Sequence, residues 1–440
     1  MLPKKTNHSQ GTFFDPRLSS LLNPKNEIYR LANLIDWEYF EKEFSSLYKL
    51  GKGQPPKPIL LMIGLMILQQ IFNCSDEEIV EKWVENAYWQ FFCGYDFLQW
   101  DFPIDPTSLI RWRHRLGREG LEKILQYSVK LAIETKTVKK KSLEKTIVDT
   151  TVMPKNITHP SDSNLYDKGC ELLVAMAKKH NLPIRQNYNR VRKQALFRYF
   201  QFVRSRKLKK AIKEKKKIKV YLGRIFRDVQ RKIKSKPFLG KEFSSLLEKT
   251  ERLLKQKKED KNKIYSLHEP DVSCISKGKL HKKYEFGSKV SLVLSHKEGL
   301  VLSSLALKGN PFDGHTLKEA LHHAEKITGR TIHSTFVDKG YRGHGILDKK
   351  IYISGQRRIS RWFKKQLKRR SAIEPHIGHM KNDGKLGRNY LKGFLGDQMN
   401  AILCGAGYNF KMILRKIILF VKIFLAYFMK KNSFVLQATG

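Results

Sequence analysis

The sequence predicts a mixed α/β fold, preceded by a helical region and interrupted by a basic helical insertion. Three observations carry this. Alternating apolar runs occur at 145–153 and resume near 284, giving the order β, ββ, α, β, β, α. The first 130 residues hold short segments with helical apolar spacing and helix-start signatures. Between the first and second strands lie more than 100 residues of different, strongly basic character.

Taken in order, residues 1–12 are expected to be disordered, and residues 28–50 to form one helix through Leu31, Leu34, Ile35, Phe40, Phe44 and Leu47. GKGQPPKP at 51–58 signals a turn, and an apolar helix is expected over 59–72. Ser75 and Glu78 form a capping box, and Asp105-Pro106 marks a further helix start. That helix carries Arg111, Arg113, Arg115 and Arg118, and a helix-turn-helix is one arrangement these elements allow. KYEFGSKVSLVLSH and GLVLSSLALKGN predict two strands joined at Lys297-Glu298-Gly299. HTLKEALHHAEKITG predicts a helix, STFVDKGY and KKIYIS two strands, and 359–383 helix again. The domain expectation is a helical region at 1–135, an α/β domain at 140–400 with an insertion at about 161–270, and a C-terminal helix at 401–440; the charge and the acids described below assign DNA binding to the first and catalysis to the second.

The chain of 440 residues has 86 Lys plus Arg against 41 Asp plus Glu, a formal charge of +45. Self-repulsion makes such an excess costly, so a polyanionic partner is the simplest reason for it. From Arg190 to Lys236 there are 20 cations and two acids, while Ile218, Leu222, Ile225, Val229 and Ile233 keep helical spacing. Phe197, Tyr199, Phe200 and Phe202 are interleaved, which favours a nucleic-acid-binding surface that includes Lys215, Lys216, Lys217 and Lys219; a solvated helix face is the plainer alternative. The five cysteines have no metal-pair spacing and suit reduced thiols of a cytoplasmic protein. MLPKKTNHSQ lacks the apolar stretch of a signal peptide. The apolar stretch Ile417–Met429 is 13 residues long, against about 20 for a span, so no membrane partner is expected.

Asp149 follows the run KTIV, Asp338 follows STFV, and Glu374 lies 36 positions beyond Asp338 in RRSAIEPHIGHMK. Three converging carboxylates in a basic chain suit a Mg²⁺ site acting on phosphodiesters, with Mn²⁺ able to substitute. Arg370, Glu374 and Lys381, four and seven apart, would share one helical face, the cations reaching phosphates. Pro375 disfavours helical geometry at Glu374, and Ser371 with Glu374 fits a capping box, so a helix start or kink is expected there. His376 and His379 suit phosphate contact or surface, and Lys339, Tyr341 and Arg342 are candidate DNA contacts.

IDWEYFEKEF at 35–44, CSDEEIVEKWVENAYWQFFCG at 74–94, DPTSLIRWRHRLG at 105–117, VDTTVMPKNITHPSDSNLYDKG at 148–169, VDKGYRGHG at 337–345 and the segment 369–403 resemble bacterial insertion-sequence transposases of the IS5 type, within the IS4-like DDE group. The resemblance implies an RNase H-like catalytic domain with Asp149, Asp338 and Glu374 as a metal-binding triad. Arg370, Glu374 and Lys381 match the family motif Tyr-x2-Arg-x3-Glu-x6-Lys, with Leu367 where Tyr is usual. The expected activity is binding of terminal inverted repeats, Mg²⁺-dependent strand cleavage and strand transfer into target DNA. The protein is expected to act as a homodimer on double-stranded DNA in the nucleoid, with Arg111, Arg113 and Arg115 among the DNA contacts. Two other classes stay open: an inactive or regulatory nucleic-acid-binding protein, and a nuclease of the same fold without strand transfer.

Overall fold

The computed structural model describes residues 16–48, 56–257, 259–260, 262–276, 283–355 and 360–437. The segment 1–12 and most of the expected 51–58 turn lie outside these residues. The chain forms two compact units, one from 1–153 and 289–440, the other from 154–288. The N-terminal helices and the acid-bearing strands therefore belong to a single unit.

Six strands form one sheet: β1 (Lys145–Pro154), β2 (Ser273–Ser276), β3 (Tyr284–Ser295), β4 (Val301–Leu307), β5 (Ser334–Val337) and β6 (Lys350–Ile353). Their order is β2-β3-β1-β5-β6, with β4 also paired to β3. The first residues of β3 pair antiparallel with β2, and its later residues pair antiparallel with β4. β5 runs parallel to both β1 and β6. The hairpin turn ends at Gly299, whose φ of +77° suits a residue without Cβ.

In the larger unit, helix Ile59–Phe72 is buried on almost every side, which explains its uniformly apolar sequence. The capping box of Ser75 and Glu78 opens helix Asp76–Glu85. Asp105 caps helix Pro106–Glu134, which is kinked at Gly117. The single helix expected over 28–50 is two, Glu27–Leu34 and Trp37–Phe44. Asp36 breaks it by taking an extended conformation and accepting the Tyr39 N–H, a cap worth about 1 kcal/mol. Helix Gly393–Gln437 passes close to β4: a Cβ at Gly405 would lie 3.0 Å from a Val301 methyl. One turn later, buried Asn409 accepts from Val301 N–H at 2.9 Å and donates to Val301 C=O at 2.8 Å. Its amide thus satisfies backbone groups that β4, paired on one side by β3, would leave open.

The two faces of the sheet feed two clusters. Ile147, Met153, Val290, Leu292 and Phe336 pack with Leu367, Ile373 and Met380. Val148, Val293 and Val337 pack with Leu317, Leu321 and the N-terminal helices. Strand alternation thus sends Asp149 to the face of Ile147 and Thr150 to the face of Val148. Buried His296 lies tilted against Phe336, ring centres 4.5 Å apart, and burial, aided by the Lys145 and Arg369 charges and resisted by the Gln366 carbonyl, lowers its pKa to about 4. With its unfolded value near 6.5, the unfolded chain takes up this proton first as pH falls. His296 therefore contributes stability that is complete above pH 6.5 and is lost toward pH 4, by about 2–3 kcal/mol. Urea titrations at pH 7 and 4.5 check this: His296→Gln should lose less midpoint than wild type over that interval, and an equal loss refutes it.

The smaller unit is a helical assembly of Asp162–Lys179, Asn189–Arg204, Leu208–Lys234 and Gly240–Lys255. The expected stripe Ile218, Leu222, Ile225, Val229 and Ile233 is buried in its core with Cys170, Leu173 and Phe243. Buried Arg192 pairs with Asp167 at 2.6 Å and donates to its carbonyl at 2.9 Å. Among the described residues no single helix is long and apolar enough to cross a membrane.

Candidate active site

The β1–β5 register places two of the three acids. It pairs Lys145 with Ser334 and Ile147 with Phe336, and carried two residues further it sets Asp149 level with Asp338. Neighbouring strands run about 4.8 Å apart, so two partly exposed carboxylates come side by side where β5 ends and β1 continues. Asp338 leaves β5 into the short turn Lys339–Tyr341. Its Oδ1 accepts from the Ser354 hydroxyl and the Lys339 N–H, both at 2.7 Å, and Arg370 lies 3.9 Å away. Partial burial raises the Asp338 pKa, but these bonds and the Arg370 and Lys339 charges outweigh it and hold the carboxyl below its usual range.

Glu374 sits in the first turn of helix Ile373–Asn382, exposed and without a hydrogen bond or ion pair among the described residues. Ile373 and Met380 of that helix pack on the cluster of Ile147 and Phe336, so the third acid rides on the face toward which Asp149 points. Pro375 is tolerated because first-turn N–H groups have no intrahelical partner. Two local expectations are corrected. Ser371 is no cap, since its hydroxyl donates to Lys368 C=O at 2.7 Å. Arg370 lies in the 3₁₀ turn Arg369–Ala372 that precedes the helix, so it does not share one continuous helical face with Glu374 and Lys381. Leu367, at the tyrosine position of the motif, is buried against the sheet.

Among the described residues, no three His, Cys, Asp or Glu side chains are gathered as a metal-holding group. The donor set nonetheless suits a hard divalent ion: Asp149 and Asp338 are carboxylates at one level, both reachable by solvent. Tyr341 supplies a second sign of a polar site. Its ring is 1% exposed, and its hydroxyl has no hydrogen-bond partner among the described residues. Burial, then the carboxylates of Asp149, Asp313 and Asp338, push its pKa well up, against the opposing charge of Arg370. The candidate DNA contact Tyr341 is therefore corrected to a buried residue, while Lys339 and Arg342 are exposed. His376 is half-buried and bonded to the Tyr408 hydroxyl, and His379 pairs with Asp383 at 2.8 Å.

Asp313 escaped the sequence reading because it looks like an ordinary first-turn acid. It begins helix Asp313–Thr328, pairs with Lys289 at 2.6 Å and accepts the Thr150 hydroxyl at 2.9 Å. The signal that would have found it is its bond to Thr150, the residue that follows Asp149 on β1.

The arginines of helix Pro106–Glu134 divide. Arg111 and Arg115 are exposed, Arg115 lying 5.7 Å from the Tyr48 ring centre. Arg113 is corrected from DNA contact to buried structural ion: both of its terminal nitrogens bond Asp76, one at 2.8 Å, and Asp76 also accepts from Gln69. Arg113→Ala would leave the partly exposed Asp76 carboxylate without its partner and open a gap at a buried position, so a loss of about 2–4 kcal/mol is expected. Thermal unfolding checks it, and a shift under a degree would refute it. Of the insertion lysines, Lys215 pairs with Asp162 at 3.1 Å and Lys217 with Glu214 at 2.6 Å. Lys219 lies 5.7 Å from the Tyr166 ring, and Lys216 is exposed.

Two family models match separate parts of the chain. Residues 16–115 match the family model described as "Transposase domain (DUF772)", and residues 265–410 match "Transposase DDE domain". The chain is also similar to "Uncharacterized protein ORF8 in nfe locus" of Rhizobium meliloti, 43% identical over 206 residues, which is 47% of this chain and 99% of that protein. No solved structure matches the chain. With two transposase segments in succession, the second spanning Asp338, Glu374 and the strands beside them, the chain belongs to a transposase family.

Proposed function

We propose that this protein is a DDE transposase of the IS5 type with an RNase H-like catalytic domain, which binds the terminal inverted repeats of an insertion sequence, cleaves the strand ends and transfers them into target DNA. The observation that carries the reading is the levelling of Asp149 with Asp338 by the β1–β5 register, with Glu374 on a helix packed over the same face. Asp149, Asp338 and Glu374 would hold divalent metal. When bound, Mg²⁺ supplies activation of the attacking water or 3′-hydroxyl and charge stabilisation of the leaving oxygen.

The chain's own residues prepare that site. Ser354 and the Lys339 N–H keep Asp338 ionised and aimed. Arg370, beside Asp338, is placed to take a phosphate oxygen next to the cut, and Lys381 is further along the same segment. The exposed Arg111 and Arg115 are candidates for contact with the repeats.

The basic helical unit would add sequence-independent contact. Lys193, Phe197, Phe200 and Arg204 follow one another at three- and four-residue steps on the outward face of helix Asn189–Arg204, with Phe197 71% exposed. Cations alternating with aromatic rings suit a nucleic-acid surface. A homodimer on the DNA is part of the same proposal.

The test is incubation of the full chain with duplexes carrying the ends of its genomic flanks, with Mg²⁺, Mn²⁺ or chelator. Metal-dependent nicking at the ends followed by joining supports the proposal. Binding without cleavage would favour a regulatory DNA-binding protein, and cleavage without joining a nuclease.

A further inference from the structure

We infer that Asp313 is a positioning residue for Asp149, acting through Thr150 from the opposite face of the sheet and holding the charge of Lys289. This rests on the metal-site reading above and extends it to residues outside the triad.

The geometry forms a continuous chain of contacts. Lys289 of β3 is buried; its ammonium reaches Asp313 Oδ1 at 2.6 Å and the Pro311 carbonyl at 2.8 Å. The same Asp313 oxygen accepts the Thr150 hydroxyl at 2.9 Å. The backbone N–H of Thr150 donates to Asp149 Oδ1 at 2.8 Å. Thr150 and Asp149 are consecutive on β1 and point to opposite faces, so fixing Thr150 from below prevents the strand from rolling and fixes where the Asp149 carboxylate points above. A site of carboxylates needs such support, because ligand direction is set by the groups behind the ligand.

The ion pair does a second thing. β3 lies directly beside β1 in the sheet. An ammonium buried there without Asp313 would offset the negative charge that Asp149 presents to a cation. Asp313 neutralises Lys289 locally and leaves Asp149 its full charge. The turn after Asp338 also closes against this carboxylate: a Cβ at Gly340 would lie 3.3 Å from Asp313 Oδ2. Asp313 is thus in contact with both segments that deliver an acid, while its own Oδ1 is already occupied by Lys289 and Thr150. That occupancy separates its role from that of a metal ligand.

The experiment is Mn²⁺ titration of the full chain, read as the spectroscopic signal of free Mn²⁺, with the unfolding midpoint measured in parallel. Asp313→Asn is expected to weaken Mn²⁺ binding by about 10-fold or more. Adding Lys289→Met to that variant should restore most of the affinity, because the unpaired ammonium is gone. Thr150→Val, which leaves the ion pair intact, should weaken binding by several-fold. Unchanged affinity in Asp313→Asn, or no recovery in the double variant, overturns the inference while leaving the triad in place. If Asp313→Asn fails to unfold cooperatively, Thr150→Val decides: wild-type affinity there overturns the inference. A wild-type chain that takes up no Mn²⁺, in which Asp149→Asn changes nothing, sinks the metal site and this inference together.

Discussion

Asp149→Asn, Asp338→Asn and Glu374→Gln are each expected to reduce strand cleavage by on the order of 10³-fold or more while leaving binding to the element ends largely intact. Each exchange keeps the volume of the side chain and removes the charge that a divalent ion requires. Glu374→Gln is the cleanest of the three. Glu374 is exposed and makes no hydrogen bond or ion pair among the described residues, so its loss has no evident structural route to inactivity. Asp338→Asn is less clean, because it also weakens the contacts to Ser354 and Arg370. Residues that act as a unit are far from additive, so any double variant should be little worse than its worse single. Cleavage rates on end-bearing duplex, with gel-shift affinity measured alongside, give the answer. A variant that cuts at near the wild-type rate removes its residue from the assignment.

What the sequence made legible was local. Ser75 with Glu78 and Asp105 with Pro106 start helices through contacts within four residues, so the pattern alone places them. The stripe from Ile218 to Ile233 is legible for the same reason: one helix carries the entire signal. Arg113 was legible in principle. Leu109, Trp112, Arg113 and Leu116 step by three, one and three residues and form a single buried face, so the helical period already turned Arg113 inward and Arg111 and Arg115 outward. The break at Asp36 was hidden because Leu31, Leu34, Ile35, Phe40 and Phe44 keep nearly helical spacing across it. The levelling of Asp149 with Asp338 depends on a parallel register between segments far apart in the chain. No local pattern encodes a register of that kind. Lys289 and Asp313 were invisible for the same reason: each is an ordinary residue on its own element, and only strand order brings them to Thr150.

Replacing Lys215, Lys216, Lys217 and Lys219 together with Gln is expected to weaken DNA binding nearly equally on repeat-bearing and random duplexes, and to flatten its dependence on salt. Twenty cations between Arg190 and Lys236 face only two acids within that span. Both acids are buried and already engaged, Glu214 with Lys217, and Asp228 with Lys232 and the Arg185 N–H. The surplus charge therefore has no protein partner within this span. Each lysine that contacts a phosphate contributes about 0.9 to the slope of log affinity against log salt, so four contacts would remove about 3.6. The structure narrows that figure. Lys215 and Lys217 are held by Asp162 and Glu214, which compete with phosphate for them, whereas Lys216 is exposed. A fall in slope of about 1–3 is the expected result. Cleavage at saturating DNA should change little, because Asp149 within β1, Asp338 just after β5 and Glu374 are untouched. An unchanged slope would make this helical unit a solvated spacer or the seat of a protein partner, and a loss confined to repeat-bearing DNA would make it a reader of sequence, since phosphate contacts alone cannot distinguish one duplex from another.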